Sequence, residues 1–116
     1  MVEDHRGGSM EKVTDDINRI KEIIVENYRP DKIILFGSRV RGTAGKQSDI
    51  DILVISDREK DLPRHKRGLD VRIKLSEVET PKDILFYTHA DIERWSGVKH
   101  TFVNEVLKQG TVLYER

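Results

Sequence analysis

Cysteine is absent from the 116 residues, so neither a disulfide framework nor a thiolate metal centre is available. That absence fits a reducing, cytoplasmic setting. Net charge is absent too: 21 basic residues balance 21 acidic ones. A chain without a global basic field lacks the counterion-releasing surface that grips long nucleic acid regardless of sequence. No apolar run approaches the roughly 18–20 residues of a membrane span, and no stretch reads as a signal peptide. The four histidines, His5, His65, His89 and His100, are scattered without zinc-ligand spacing and read as surface residues. There is no internal repeat, and the length allows one core and therefore one domain.

What is present is concentrated in Lys32 to Ile55, KIILFGSRVRGTAGKQSDIDILVI. Lys32–Phe36 is a short β-branched run closed by Gly37, the pattern of a buried strand entering a sharp turn. Glycine lets the backbone approach a ligand and tolerates positive φ. Ser38 adds a hydroxyl, and backbone amides after such a turn suit an anion. Arg39, Arg41 and Lys46 make the loop basic, and a guanidinium fork matches phosphate oxygens. A second strand then opens with Asp49 and Asp51, which share one face because strand side chains alternate. Paired carboxylates beside an apolar run call for a counter-ion, and hard oxygen ligands suit Mg²⁺ or Mn²⁺ bridging to substrate phosphates. The layout predicts metal-assisted phosphoryl or nucleotidyl transfer.

Gly-Ser, ten residues, then Asp-Ile-Asp on an apolar strand resembles the nucleotidyltransferase signature of the DNA polymerase β superfamily. FGSRVRG…SDIDILV is most similar to its minimal nucleotidyltransferase branch, small prokaryotic proteins often paired with a HEPN-domain partner in toxin–antitoxin modules. The likeness continues through DILFYTHADIERW and VNEVLKQGTVLYER, so it covers nearly everything after residue 12. It implies a small α/β palm-like domain, a mixed sheet of three or four strands with helices mainly on one side. It also implies two Mg²⁺ or Mn²⁺ ions on Asp49, Asp51 and a third acid, and an NTP, ATP foremost, held at Gly37, Ser38, Arg39, Arg41 and Ser48. The expected activity is adenylyltransferase-like: AMP moved onto an acceptor hydroxyl, plausibly of a HEPN-type toxin. The alternative is an antitoxin or binding subunit that neutralises such a partner by complex formation. Self-association is compatible with the zero net charge.

Two candidates exist for the third acid. Asp70 has apolar neighbours on both sides, whereas Asp83 opens the run Asp83–Tyr87 and shares its face with Leu85 and Tyr87. A helical crossover between parallel strands needs a dozen or more residues plus loops. Thirty-two residues from Asp51 to Asp83 leave that room, and nineteen to Asp70 are tight. Asp83 is therefore the expected third ligand, completing the catalytic and metal set.

Elsewhere, Met1–Ser9 reads as a disordered tail or vector-derived leader, with the domain over 10–116 and Met10 as a second candidate start. Val13, Ile17, Ile20 and Ile24 mark a helix to about Asn27, ended before Pro30. Over Asp61–Val78, Leu62, Leu69 and Ile73 suit a helical stripe, yet Leu69, Val71, Ile73 and Leu75 alternate as a strand would; the resemblance favours a helix. The run Arg64–Arg67 reads as a solvated helix face. Thr88 and Asp91 are placed to cap a short helix over Ala90–Trp95, and a last helix is expected over Val98–Gln109, stopped by Gly110. Thr111–Tyr114 reads as a closing edge strand. Trp95, Phe102, Val103 and Tyr114 are candidate anchors for a partner chain.

Overall fold

Helix α1 (Glu3–Tyr28) leads into strand β1 (Lys32–Phe36), with the chain turning at Arg29, whose φ is 51°. The structure is a computed structural model, described for residues 3–37 and 49–116, with side chains described from Val13 onward. Strand β2 (Ile50–Ile55) follows, then a single 3-10 turn at Arg64–Lys66 and helix α2 (Leu69–Leu75). Strand β3 (Lys82–Tyr87), helices α3 (His89–Ser96) and α4 (Phe102–Gln109), and strand β4 (Thr111–Glu115) complete the chain. The sheet order is β3-β2-β1-β4, with β2 and β3 parallel and the other two pairings antiparallel. This is the mixed four-stranded α/β fold expected, with β4 on an edge.

Strand alternation divides the sheet into two faces. Ile33, Ile50, Ile52, Val54, Ile84 and Phe86 point to the main core, where α1 supplies Ile20, Ile23, Ile24 and Tyr28, and α2 supplies Val71 and Leu75. Ile34, Leu53 and Ile55 point the other way and meet Val106 of α4, with Phe36, Leu85, Tyr87 and Ile92 packed around them. Helices α1 and α2 thus lie on one face, and two eight-residue helices cover part of the other.

Several local expectations are adjusted. The backbone is helical from Glu3, upstream of the expected start of the first helix. Once a packed helix is nucleated, each further residue adds one hydrogen bond at little entropic cost. The ambiguous stretch is helical, but its buried stripe is Val71, Leu75 and Val78; Leu69 and Ile73 are 55% and 71% exposed. Helix α4 starts at Phe102 rather than Val98, because the Thr101 hydroxyl accepts from the Asn104 amide and sets the cap there. Gly110 stops it with an ordinary φ of −74°; glycine is needed because a Cβ would strike Ile34 and the Val106 carbonyl. Val103 is buried and offers no anchor to a partner, while Phe102 and Trp95 remain partly exposed.

Candidate active site

The acid-bearing positions come together at one end of the second face. β2 and β3 run parallel in the register Ile50↔Lys82, Asp51↔Asp83 and Leu53↔Leu85, anchored at this end by the Ile50 amide donating to the Pro81 carbonyl at 3.0 Å. Asp51 and Asp83 are therefore cross-strand neighbours on the same face, rooted about 4.8 Å apart as adjacent strands are. On its other side Asp51 pairs with Phe36 of β1, the residue before the glycine turn. Asp49 lies just before β2, two positions from Asp51 and so on the same side, and is exposed, as is Asp83. Lys82 faces away and is occupied, its Nζ donating to the Val78 carbonyl at 2.5 Å. Asp70 sits in α2, away from the strand register. Asp83, and not Asp70, is the acid on the strand that pairs with β2.

Gly37 completes this end. Its φ is 87°, a left-handed value that side chains oppose, and a Cβ would run into the Asp51 carboxylate. The turn therefore needs glycine twice, once for backbone conformation and once for the acid packed against it. We expect Gly37→Ala to cost about 1–3 kcal/mol of stability, read by urea denaturation, from the left-handed penalty plus the displaced carboxylate. Ser38, Arg39, Arg41, Lys46 and Ser48 lie outside the described residues.

Among the described residues, no three acid or imidazole side chains are drawn together closely enough to hold an ion. The register sets Asp51 and Asp83 on one face, with Asp49 immediately ahead of β2, and carboxylates are the hard oxygen donors that divalent magnesium or manganese takes.

The face is bounded by a network that the sequence pattern concealed. Arg67, read as part of a solvated run, is buried. Its guanidinium donates to the Leu62 and Phe86 carbonyls at 3.0 and 3.3 Å and to Asp91 Oδ2 at 3.1 Å. Asp91 in turn accepts from the Thr88 amide at 3.0 Å, while the Thr88 hydroxyl accepts from the Asp91 amide, a reciprocal capping box on α3. Burial pushes the Asp91 carboxyl up, but the Thr88 amide and the Arg67 guanidinium outweigh it and hold the acid below its ordinary value. Nearby, burial and a hydrogen bond with Glu59 push the Tyr28 hydroxyl well above its ordinary value, so it stays protonated.

The family model for polymerase beta nucleotidyltransferases matches residues 18–116. The chain belongs to this family. A crystal structure of a toxin–antitoxin with AMP-PNP is similar at 26% identity, with a TM-score of 0.59 over 85% of this chain and 73% of that one. A chain from Sulfolobus solfataricus assigned as a nucleotidyltransferase is similar at 21% identity, with a TM-score of 0.48 over 90% of this chain and 87% of that one. No curated protein sequence matches. The family match and the likeness to the toxin–antitoxin structure agree with a minimal nucleotidyltransferase. Among the described residues, no helix is long and apolar enough to cross a membrane.

Proposed function

We propose that this nucleotidyltransferase domain moves a nucleoside monophosphate, AMP from ATP in the first instance, onto a hydroxyl of a partner protein in the cytoplasm. The observation that carries the reading is the register that sets Asp83 beside Asp51, with Gly37 packed against the same carboxylate. Asp49, Asp51 and Asp83 would hold two divalent ions, which supply charge neutralisation of the triphosphate and a more acidic acceptor hydroxyl. Gly37 and Ser38, with Arg39, Arg41 and Ser48, would bind the phosphates through amides, hydroxyls and guanidinium groups. The acceptor oxygen bonds to the α-phosphorus as the bond to the pyrophosphate oxygen breaks. The hydroxyl proton goes to solvent, and pyrophosphate leaves.

The likeness to a toxin–antitoxin crystallised with AMP-PNP supports both an adenine nucleotide and a protein partner; the HEPN type of that partner rests on the sequence resemblance alone. It also supports a second reading, an antitoxin that neutralises its partner by occlusion. Labelled ATP with Mg²⁺, supplied in parallel with the product of the adjacent reading frame and with bulk RNA, separates the two. Label on the protein is the expected result. Label on RNA alone ends the protein-acceptor reading, and tight complex formation without label, persisting in Asp49→Asn, selects occlusion.

Mg²⁺ with ATP is expected to raise the unfolding temperature by mass action, about 2.7 kcal/mol at a hundred times Kd. In Asp49→Asn combined with Asp51→Asn that gain should vanish in a thermal melt. An undiminished shift in the double variant would place the nucleotide elsewhere.

A further inference from the structure

On the same sheet face as the acids, the covering helices leave a cavity of about 420 Å³ lined by Arg64, Tyr87, Trp95, Thr101, Phe102 and Val103. Its walls are aromatic and largely preformed. Phe102 packs edge-on against Phe36 with ring centroids 5.1 Å apart, and tilted against Tyr87 at 5.8 Å. The Arg64 guanidinium lies 4.3 Å over the Tyr87 ring. Trp95 and Phe102 are still 38% and 39% exposed, so two aromatic rings of the cavity stand partly in water.

Two observations tie this cavity to the acid end rather than to an unrelated surface. Phe102 also lines a smaller cavity of about 210 Å³ that reaches Phe36 and Gly37, so one ring borders both the glycine turn and the cavity that Trp95 lines. Tyr87 shares its strand and its face with Asp83, four residues away, or about 13 Å along the strand. A nucleotide with its triphosphate against the acids reaches that far.

We propose that this cavity is the nucleobase platform of the domain, with the base stacked against Trp95 and Phe102 and edged by the Arg64 guanidinium. The inference rests on the nucleotide-transfer reading above and adds the part of the substrate that the acids cannot recognise. The volume falls in the range of small-ligand pockets. Flat rings and guanidinium planes are the surfaces on which bases stack, and every base presents a π-face to them. The Thr101 hydroxyl is the polar group at hand, although it already donates to the Val98 carbonyl at 2.8 Å, so stacking rather than edge-reading dominates. Weak discrimination among bases follows.

Trp95 is the single tryptophan of the chain, so its fluorescence reports this cavity alone. The intact protein is titrated with ATP and Mg²⁺, with adenosine, and with inorganic tripolyphosphate, and calorimetry follows the same additions. ATP and adenosine are expected to quench Trp95, and tripolyphosphate to bind without quenching. Trp95→Ala should weaken ATP about tenfold or more and leave tripolyphosphate affinity unchanged, while Trp95→Phe, which keeps a ring face, restores most of the loss. ATP that binds by calorimetry without touching Trp95 fluorescence, or that binds Trp95→Ala at full strength, overturns the platform. So does a Trp95→Ala variant that keeps nucleotide affinity but loses its partner protein, which would make the cavity a docking site. If neither ATP nor tripolyphosphate binds, the transfer reading fails instead, and adenosine quenching still decides the cavity.

Discussion

Asp83→Asn is expected to reduce nucleotidyl transfer by about a hundredfold or more while leaving the melting temperature and ATP binding nearly unchanged, whereas Asp70→Asn should be close to neutral. Both substitutions keep size and shape, so they test charge alone. Asp83 is exposed at the opening of β3, directly across from Asp51 in the parallel register, and loses no buried partner when neutralised. In the proposed transfer Asp83 would serve the acceptor-side ion, with Asp49, Asp51 and the glycine turn beside the triphosphate. A lost acid there should therefore lower kcat more than it raises KM for ATP. Asp70 lies in the first turn of α2, with no place in the strand register. Single-turnover transfer from labelled ATP, with calorimetric ATP binding in parallel, measures both quantities. If Asp70→Asn loses activity and Asp83→Asn keeps it, the proposed acid set is wrong.

Much of this arrangement was legible because it is local. Lys32–Phe36 is a strand over the expected residues, since a β-branched run stopped by glycine leaves little alternative. Asp51 shares its face with Leu53 and Ile55 by strand periodicity alone, with Asp49 immediately ahead of the strand, and the separation of Asp51 from Asp83 leaves room for the crossover that α2 partly fills. What was not legible depends on contacts between distant segments. By propensity alone Gly68 opposes a helix; in the fold it has φ of 73° ahead of α2, and a Cβ there would enter the Phe86 ring. Leu69 and Ile73 are as apolar as Val71 and Leu75, and only the placement of α2 against α1 and the sheet decides which pair is buried. Phe102 reads as one apolar position among several in α4. Its bridging of Phe36 and Tyr87 requires β1 and β3, which flank β2 in the sheet.

Arg67 is the extreme case, and its removal should have the largest effect on stability. In sequence it closes a run of four cations, the usual signature of a solvated face. In the fold its side chain is only 10% exposed, and it joins the loop before α2, the end of β3 and the cap of α3 through Leu62, Phe86 and Asp91. Arg67→Ala strands the Asp91 carboxylate, 27% exposed, and leaves the Phe86 and Leu62 carbonyls short of a donor. Breaking such a pair from one side costs about 3–5 kcal/mol when fully buried, and the partial exposure of Asp91 puts the expectation near 3. For a domain of this size that lowers the melting temperature on the order of 10 °C. The pH dependence gives an independent check. Because the Asp91 carboxyl is held below its ordinary value of 3.8, its contribution is complete at neutral pH and is lost as pH falls through the lower folded value. Asp91→Asn should therefore flatten part of the acid limb of the stability curve, and Arg67→Ala should flatten it too, because the folded value moves back toward the ordinary one; its deficit is then larger at pH 7 than below pH 4. A denaturant titration at pH 7 and again below pH 4 distinguishes this from simple loss of packing. Simple loss of packing would lower both points equally, and an Arg67→Ala protein as stable as the parent at pH 7 would show the pair to be incidental.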